Sequence, residues 1–285
     1  MKNQAANLEL LLESPKTSNT KFITITSGKG GVGKSTFSAN LAYKLWQLGF
    51  KVGIFDADIG LANLDIMFGV RCEKNLLHVL KNQAKLKDII VPIERNLYLI
   101  PGDSGTDIFR YKSEFMFEAL IEDSAFLDNL DFVIIDTGAG IGEYTQTFLK
   151  NSDEVIVITI PDPAAITDAY ATIKLAANFK ERIFMLINMT KNNAEAQMIF
   201  QKVQKIAQAN INNIKLEFIG ELTKTSLINH YSKNRGIFVK LEPNSSSSME
   251  IEEIARTLAK KMERNVLVQE DKRFGKFLKK ILGHF

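Results

Sequence analysis

Short runs of apolar residues alternate with longer segments in which apolar residues recur at helical spacing. Short runs rich in Ile, Val and Phe predict buried strands, and i, i+3, i+4 spacing predicts amphipathic helices. The predicted strands are 21–27, 51–58, 97–102, 131–136, 154–161, 182–189 and 216–222. The predicted helices are 34–48, 113–127, 143–150, 164–178, 192–210 and 248–264. This alternation indicates a three-layer α/β fold, in which helices flank a mainly parallel β-sheet.

Polar residues cluster directly after three of the predicted strands. A glycine-rich segment begins at Gly28 after the first strand, Asp56 and Asp58 close the second, and Asp136 closes the fourth. The carboxyl ends of parallel strands meet at one edge of the sheet, where ligands bind in open α/β folds. The sequence therefore predicts one ligand site built from these segments.

The glycine-rich segment GKGGVGKST, residues 28–36, fits two different nucleotide-binding patterns. Its glycines match the dinucleotide fingerprint G-x-G-x-x-G, and Asp56 lies near the place of a ribose-binding carboxylate. Lys34 and Ser35 complete the phosphate-binding loop G-x-x-x-x-G-K-[ST] between a predicted strand and a predicted helix. Because hydride transfer requires neither Lys34 nor Asp136, the segment favours a nucleoside triphosphate.

The loop and the aspartates suit the chemistry of a bound triphosphate. Backbone N–H groups would cradle the phosphates, Lys34 would neutralise the β and γ oxygens, and the Ser35 hydroxyl would bind Mg²⁺. Asp136 would hold the metal through water. Asp56 and Asp58 are two residues apart and would point to one side of an extended segment. One would support the metal while the other orients water. The alternatives are that both are solvated loop residues, or that Asp58 caps the segment that follows.

Three motifs together resemble those of the MinD/ParA family of ATPases. They are KGGVGKST (29–36), FDADIGLANLD (55–65) and IIDTGAGIG (134–142). The resemblance covers about residues 21–265 and implies a P-loop NTPase fold of the MinD/ParA type. It also implies a homodimer that encloses two ATP molecules, with Lys29 reaching the phosphates of the partner's ATP. Lys29 would then act like an arginine finger, and only in the dimer.

The resemblance further implies a set of residues that bind ATP or ADP with Mg²⁺. The nucleotide-binding residues are Gly28, Lys29, Gly30, Gly31, Val32, Gly33, Lys34, Ser35, Thr36, Asp56, Asp136, Gly140 and Asn188. The catalytic residues are Lys29, Lys34 and Asp58, and the metal is served by Ser35, Asp58 and Asp136. Asp58 would position the attacking water. Asn188 would read the adenine edge, with capping of the next helix as the alternative.

The last residues, RFGKFLKKILGHF (273–285), combine an apolar stripe with basic side chains. The stripe consists of Phe274, Phe277, Leu278, Ile281, Leu282 and Phe285. This segment is too short to cross a bilayer, but a short basic helix suits the interface of an anionic membrane. We therefore predict an amphipathic membrane-targeting helix in residues 266–285, which a dimer would use in two copies. A terminal helix folded onto the body, with its stripe as core, is the alternative.

Residues 1–20 are predicted to form a short helix and a polar linker before an ATPase domain at 21–265. NQAANL, within residues 3–12, resembles the N-terminal segment of the FlhG (YlxH) family of flagellar-number regulators, although Asn3 and Glu9 depart from its pattern. In that family the segment activates the GTPase FlhF. The resemblance implies control of flagellar number or placement, with an FlhF-type GTPase and flagellar switch (C-ring) proteins as partners. A MinD-like division-site regulator and a ParA-like DNA-partition ATPase are the alternatives.

Charge and composition limit the remaining alternatives. The net charge of +3 depends on five basic residues within 272–280, so the rest of the chain is slightly acidic, which argues against a DNA partner. A single cysteine, Cys72, argues against an iron–sulfur centre that needs paired thiolates and fits a reducing compartment. The sequence shows neither a secretory signal nor a membrane-spanning run. We expect a cytoplasmic protein, peripheral at the inner face of the cell membrane, with a polar position as one option.

Overall fold

A mainly parallel sheet of eight strands forms the centre of the described chain. The computed structural model describes residues 20–58, 63–102 and 129–263, together with Phe277, Lys280 and Ile281. The strands are β1 Lys21–Thr26, β2 Val52–Ala57, β3 Val91–Glu94, β4 Leu97–Ile100, β5 Phe132–Thr137, β6 Glu154–Thr159, β7 Arg182–Thr190 and β8 Lys215–Thr223. Their order across the sheet is β3-β4-β2-β5-β1-β6-β7-β8. Only the β3–β4 pair among these strands is antiparallel.

The central strands are buried on both faces. Every residue of β2, β5 and β6 is buried, and so is every residue of β1 after Lys21. Strands covered on both faces need nearly continuous apolar runs, which explains why the sequence reveals them. All seven predicted strands are present, and the predicted three-layer, mainly parallel fold is confirmed. The edge strand β3 was not predicted, because Pro92 and Glu94 interrupt its short apolar run.

Ten helices are present in the described residues, and they differ widely in length. They are α1 Lys34–Gln47, α2 Leu64–Phe68, α3 Leu76–Leu80, α4 Leu86–Ile89, α5 Glu143–Asn151, α6 Pro163–Ala176, α7 Asn193–Asn210, α8 Ser226–Lys233, α9 Phe238–Leu241 and α10 Ser246–Glu263. The predicted helices correspond to α1, α5, α6, α7 and α10. The other five helices have eight residues or fewer, too few to show a clear periodicity. The predicted helix 113–127 and the N-terminal residues 1–19 lie outside the described residues.

Alternate residues of the central strands face two different helical layers. On β5, Ile134 joins the core beneath α1 and α10, whereas Val133 and Ile135 face the opposite side. Residues of α5, α6 and α7 cover that opposite side. The strand period of two thus assigns each apolar residue to one layer, and the sheet is enclosed between two layers of helices.

The register of the central strands brings the polar segments to one end of the sheet. Asp56 on β2 pairs with Asp136 on β5, and Asp136 in turn pairs with Ile25 on β1. β1 also pairs with β6 on its other side. The segments that follow β1, β2, β5 and β6 therefore begin at the same edge.

Two residues of the predicted terminal helix pack against the body. Phe277 and Ile281 are only 3% and 5% exposed. The Phe277 ring stacks on Phe22 with 4.3 Å between ring centroids, and Phe55 and Phe148 belong to the same apolar cluster. At these two positions the stripe lies in the core, as the alternative of a helix folded onto the body requires. None of the described helices combines the length and apolar character needed to cross a membrane.

Candidate functional site

A cavity of about 600 Å³ opens at the carboxyl ends of β1, β2 and β5, a volume typical of ligand pockets. Its lining consists of Ser27, Lys29, Gly30, Gly31, Val32, Gly33, Lys34, Ser35, Thr36, Ala57, Asp58, Asn63, Thr137, Gly138, Ala139, Gly142, Thr145 and Phe148. The lining includes nine of the predicted site residues, namely residues 29–36 and Asp58. The other predicted residues, Gly28, Asp56, Asp136, Gly140 and Asn188, are next to a lining residue in sequence or bonded to one.

The phosphate loop leads from β1 into the first turn of α1. Gly33 precedes this helix with φ of 88°, a left-handed conformation that favours glycine. The first N–H groups of a helix have no partner within it, and residues 34–36, which begin α1, line the cavity. These N–H groups and the positive end of the helix dipole suit an anionic ligand such as a phosphate.

A buried ion pair lies beside this loop. Lys34 Nζ is 3.1 Å from Asp136 Oδ1, and the two side chains are 7% and 1% exposed. Ser38 Oγ, one turn along α1, donates to the same oxygen at 2.8 Å. Asp136 Oδ2 is also buried, and it has no hydrogen-bond partner among the described residues.

The spare oxygen of Asp136 provides a test of whether the site suits a magnesium ion. A buried carboxylate oxygen without a donor is costly, and a cation or a water bound to a cation would supply the missing partner. Mg²⁺ keeps several waters and takes oxygen ligands from one or two protein groups. The carboxylate of Asp136, and the hydroxyl of Ser35 in the cavity lining, therefore fit this ion chemically.

Asn188 fixes the phosphate loop from the end of β7. Its Nδ2 donates to the Val32 carbonyl at 2.8 Å, and its Oδ1 accepts from the Met189 N–H at 2.8 Å. A Cβ at Gly33 would approach Asn188 Nδ2 to 2.4 Å, so a larger residue there would displace the amide. The alternative role of Asn188 as a helix cap is wrong, because Asn192 caps α7 by accepting from Glu195 N–H.

Asp56 is buried beside the cavity and organises the segment that leads to α2. Its Oδ2 accepts from the N–H groups of Asn63 and Leu64 at 3.0 and 3.1 Å, and it is 3% exposed. Burial raises the pKa of Asp56 to about 7, and the nearby Asp136 adds to the increase, whereas the backbone hydrogen bonds lower it. The alternative that Asp56 is a solvated loop residue is therefore wrong.

Asp58 is half-buried and lines the cavity beside Gly138 in the segment after β5. Burial raises its pKa, an effect that Lys34 opposes and Asp136 reinforces. A Cβ at Gly138 would lie 3.0 Å from Asp58 Oδ1, so the glycine leaves room for this carboxylate. In the described residues it is Asp56, not Asp58, that accepts from the first N–H of α2, so the capping alternative for Asp58 is wrong.

The end of β5 and the segment after it are hydrogen-bonded to the end of β1 and the start of the phosphate loop. Thr137 Oγ1 donates to the Ile25 carbonyl at 3.0 Å, and Gly140 N–H donates to the Ser27 carbonyl at 2.9 Å. Gly138, Ala139 and Gly142 then complete that wall of the cavity. Gly140 is thus placed against the backbone of the loop rather than in the lining.

Lys29 lies in the exposed part of the loop. Its side chain is 44% exposed, and its Nζ is 3.1 Å from Oδ1 of Asp162, the N-cap residue of α6. Lys29 lines the cavity, whereas Asp162 is not among the lining residues in the described part of the chain.

Two polar residues at this site were not predicted from the sequence. Ser38 carries a detectable signal, because it follows Lys34 by four residues on one helix face and therefore points to the same place. Asp162 carries none, because its contact with Lys29 joins residues 133 apart in the chain.

Comparison with known proteins gives a consistent family assignment. The model of the ParA family, described as NUBPL iron-transfer P-loop NTPase, matches residues 18–259. The flagellum site-determining protein YlxH of Helicobacter pylori is 46% identical over 292 aligned positions, which cover 100% of this chain and 99% of that protein. The antiactivator FleN of Pseudomonas aeruginosa is 32% identical and covers 82% of this chain and 84% of its own.

A solved structure shares the fold over most of the chain. A chain of the MinC:MinD cell division protein complex of Aquifex aeolicus matches this chain with a TM-score of 0.67 and 28% identity. The match covers 88% of this chain and 99% of that chain. The architecture around the cavity is therefore that of a MinD/ParA-type P-loop ATPase.

Proposed function

The chain belongs to the ParA family of P-loop NTPases, and from that premise we propose that it is an ATPase switch of the MinD type. It binds ATP with Mg²⁺, dimerises, hydrolyses ATP to ADP and phosphate, and regulates the number or placement of flagella. The observation that carries this proposal is a cavity lined by two lysines, of which Lys34 is buried and paired with Asp136 whereas Lys29 is exposed. The names of YlxH and FleN supply the flagellar context.

The lining residues and their neighbours would each have a separate role in ATP hydrolysis. Backbone N–H groups of residues 30–36 and the Lys34 ammonium bind the phosphates. Ser35 and Asp136 hold Mg²⁺, which supplies positive charge against the phosphate oxygens. Asp58 lies beside Gly138, where its carboxylate orients the attacking water. Asn188 keeps the loop in shape through Val32, in addition to the predicted contact with adenine.

Lys29 is the residue that makes hydrolysis depend on a second subunit. Lys29 is an exposed residue of the phosphate loop, so its side chain can contact a second subunit that faces this end of the sheet. A lysine inserted beside the partner's phosphates would stabilise the charge that develops during phosphoryl transfer. Two subunits would exchange these lysines reciprocally, which gives a symmetric dimer.

Separate substitution of the two lysines distinguishes ATP binding within one subunit from hydrolysis that depends on the partner subunit. Lys34→Ala is expected to weaken ATP binding about 10- to 100-fold, because it removes a charged donor at the cavity base. Lys29→Ala is expected to leave ATP affinity within about twofold but to lower hydrolysis by about 10³-fold, in the range of a lost arginine finger. Equilibrium ATP binding and steady-state hydrolysis measure the two effects.

The control for both variants is Lys215→Ala, at the amino end of β8, where the lysine is 70% exposed and pairs with Glu217. This variant should match the wild-type chain in both assays. Wild-type ATP affinity in Lys34→Ala, or wild-type hydrolysis in Lys29→Ala, would contradict the proposal.

Membrane association is the second part of the proposed function. Two places could bury apolar side chains of the stripe in residues 273–285. One is the apolar cluster around Phe22 that contains Phe277 and Ile281, here called the groove, and the other is an anionic membrane surface. We assign the groove to the monomer and the membrane to the ATP-bound dimer, in which two helices bind together with higher avidity. The protein would thus act at the inner face of the cell membrane.

The proposed domain organisation assigns separate tasks to the two ends of the chain. Residues 21–265 form the ATPase, residues 266–285 target the membrane, and residues 1–20 carry the helix that stimulates an FlhF-type GTPase through residues 3–12. Flagellar switch (C-ring) proteins are the further proposed partners. Loss of GTPase stimulation on replacing residues 3–12 with a Gly/Ser linker would support this assignment, and unchanged stimulation would refute it.

A division-site regulator is the second candidate, favoured by the structural likeness to MinD. Deletion of the gene distinguishes the two, since one function alters flagellar number and the other the position of the septum. The iron transfer in the family description is not proposed for this chain. Its single cysteine, Cys72, is half-buried, and burial raises the pKa of that thiol to about 11, so it is a poor metal ligand.

A further inference from the structure

Lys29 is held by a carboxylate of its own subunit. Its Nζ lies 3.1 Å from Asp162 Oδ1, and both side chains are more than 40% exposed. Lys29 follows β1 and Asp162 follows β6, and these strands are hydrogen-bonded neighbours in parallel register. The contact therefore arises directly from the order of strands in the sheet.

The carboxylate of Asp162 is fixed independently of Lys29. Asp162 is the N-cap of α6, and its Oδ1 accepts from the Ala165 N–H at 2.9 Å. The pKa of Asp162 lies below its ordinary value, mainly because of this hydrogen bond and secondly because of the one from Lys29. Asp162 is therefore ionised at neutral pH and stays in place when the lysine leaves.

The backbone beside Lys29 is also fixed against the same helix. Ser27 Oγ donates to the Lys29 carbonyl at 3.0 Å. The α-carbon of Gly28 lies so close to α6 that an added Cβ would approach the Asp168 carbonyl oxygen to 2.3 Å. Because the main chain is held at this point, Lys29 would move from Asp162 to the phosphates of a second subunit mainly by rotation of its side chain.

We propose that Asp162 is a positioning residue that retains the Lys29 side chain within its own subunit until a second ATP-bound subunit competes for it. The inference rests on the proposed function, since it requires that Lys29 serve a partner's nucleotide. An ammonium engaged with Asp162 is withdrawn from the partner's phosphates, so each dimer forms at the expense of two intramolecular pairs. Exposed pairs of this kind are weak, so the phosphates of ATP can displace them.

Asp162→Asn tests this role without removing the helix cap. Asparagine is as good an N-cap as aspartate, so α6 should keep its stability. Removal of two exposed ion pairs per dimer is expected to lower the Kd of the ATP-dependent dimer about two- to thirtyfold. Sedimentation equilibrium with Mg²⁺ and a non-hydrolysable ATP analogue measures this Kd.

The matched control is Asp168→Asn, which removes the same charge from the same helix but is not paired with Lys29 in the described contacts. Its dimer Kd should stay within about twofold of wild type. Equal tightening by both variants would mean a general charge effect and would overturn the inference. A Kd for Asp162→Asn that is unchanged or higher would overturn it as well.

A chemical crosslink measures directly whether Lys29 leaves Asp162 when the dimer forms. A water-soluble carbodiimide joins an amine to a carboxylate in contact, so the wild-type chain with ADP is expected to yield a Lys29–Asp162 crosslink in tryptic peptides. With the ATP analogue the yield should fall at least threefold. A wild-type chain that dimerises with an unchanged yield overturns this inference alone, whereas a chain that stays monomeric with ATP overturns the proposed function and the release together.

Discussion

Two carboxylates, Asp56 and Asp136, are buried on adjacent strands at the edge of the cavity. They are stabilised differently. Asp136 has the Lys34 ammonium and the Ser38 hydroxyl on one oxygen, whereas Asp56 has only backbone N–H groups. The absence of a cation beside Asp56 in these described contacts explains why burial raises its pKa to about 7.

The raised pKa of Asp56 makes stability depend on pH. Between about pH 4 and pH 7 the folded chain binds a proton at Asp56 more tightly than the unfolded chain, so this group stabilises the fold at low pH and loses that contribution as pH rises. The shift from 3.8 to about 7 corresponds to at most about 4 kcal/mol. Asp56→Asn should remove this dependence.

Urea unfolding of the wild type and Asp56→Asn at pH 5, 6, 7 and 8 tests this expectation. The stability of the wild type relative to the variant should decrease from pH 5 to pH 8. Asp88→Asn, which changes an exposed aspartate on α4, is the control for removal of a carboxylate outside the core. A difference that stays constant or increases with pH would show that folding does not raise the pKa of Asp56.

The individual residues of the phosphate loop were predictable because their spacing is a local pattern. Lys34, Ser35 and Asp136 were expected at one site, and the first and last of these form an ion pair. The contacts of Asn188 with Val32 and of Asp162 with Lys29 were not predictable. They join residues 156 and 133 positions apart, and only the strand order brings them together.

At the scale of elements, burial decides what the sequence reveals. Long helices and central strands bury continuous or periodic apolar positions, and these were predicted. The edge strand β3 and the short helices α2 to α4 bury too few residues to leave a pattern. A similar limit applies to the C-terminal stripe, because a helix that binds a membrane and a helix that packs in a groove have the same sequence pattern of apolar residues.

The groove for the C-terminal segment can be weakened without changing that segment. Phe22→Leu removes the ring that stacks on Phe277 at 4.3 Å and is expected to cost about 1–2 kcal/mol of stability. Because release becomes easier, trypsin should cleave within residues 272–280 faster, and binding to anionic liposomes should increase in ADP. Limited proteolysis and liposome sedimentation measure the two effects.

Phe200→Leu is the control for this substitution. Phe200 on α7 packs on Phe218 at 5.3 Å between centroids, in a different apolar cluster. Its loss of stability should be similar, with no increase in cleavage at residues 272–280. Equal cleavage in both variants would show that the effect reflects general destabilisation rather than release from the groove.

At the scale of the whole molecule, one end of the sheet carries the nucleotide chemistry and one face carries the groove. Helix α5 connects them, since it begins after the segment tied to the phosphate loop and places Phe148 in the apolar cluster of Phe277. A change at Gly140 and its neighbours would thus reach the groove through a single helix. The sequence predicted the nucleotide site and offered the packed terminal helix as an alternative, but it did not predict this connection, which depends on the order of β1, β5 and β2 in the sheet.

Co-sedimentation with liposomes that contain phosphatidylglycerol tests whether the nucleotide controls the position of the terminal helix. The full chain and a chain that ends at Asp271 would each be compared with Mg²⁺-ATP and with Mg²⁺-ADP, at equal protein concentration. Sedimentation only of the full chain, and only with ATP, is the result that an ATP-gated membrane switch predicts. A full chain that dimerises with ATP yet stays in the supernatant would contradict the account and leave residues 273–285 as part of the core.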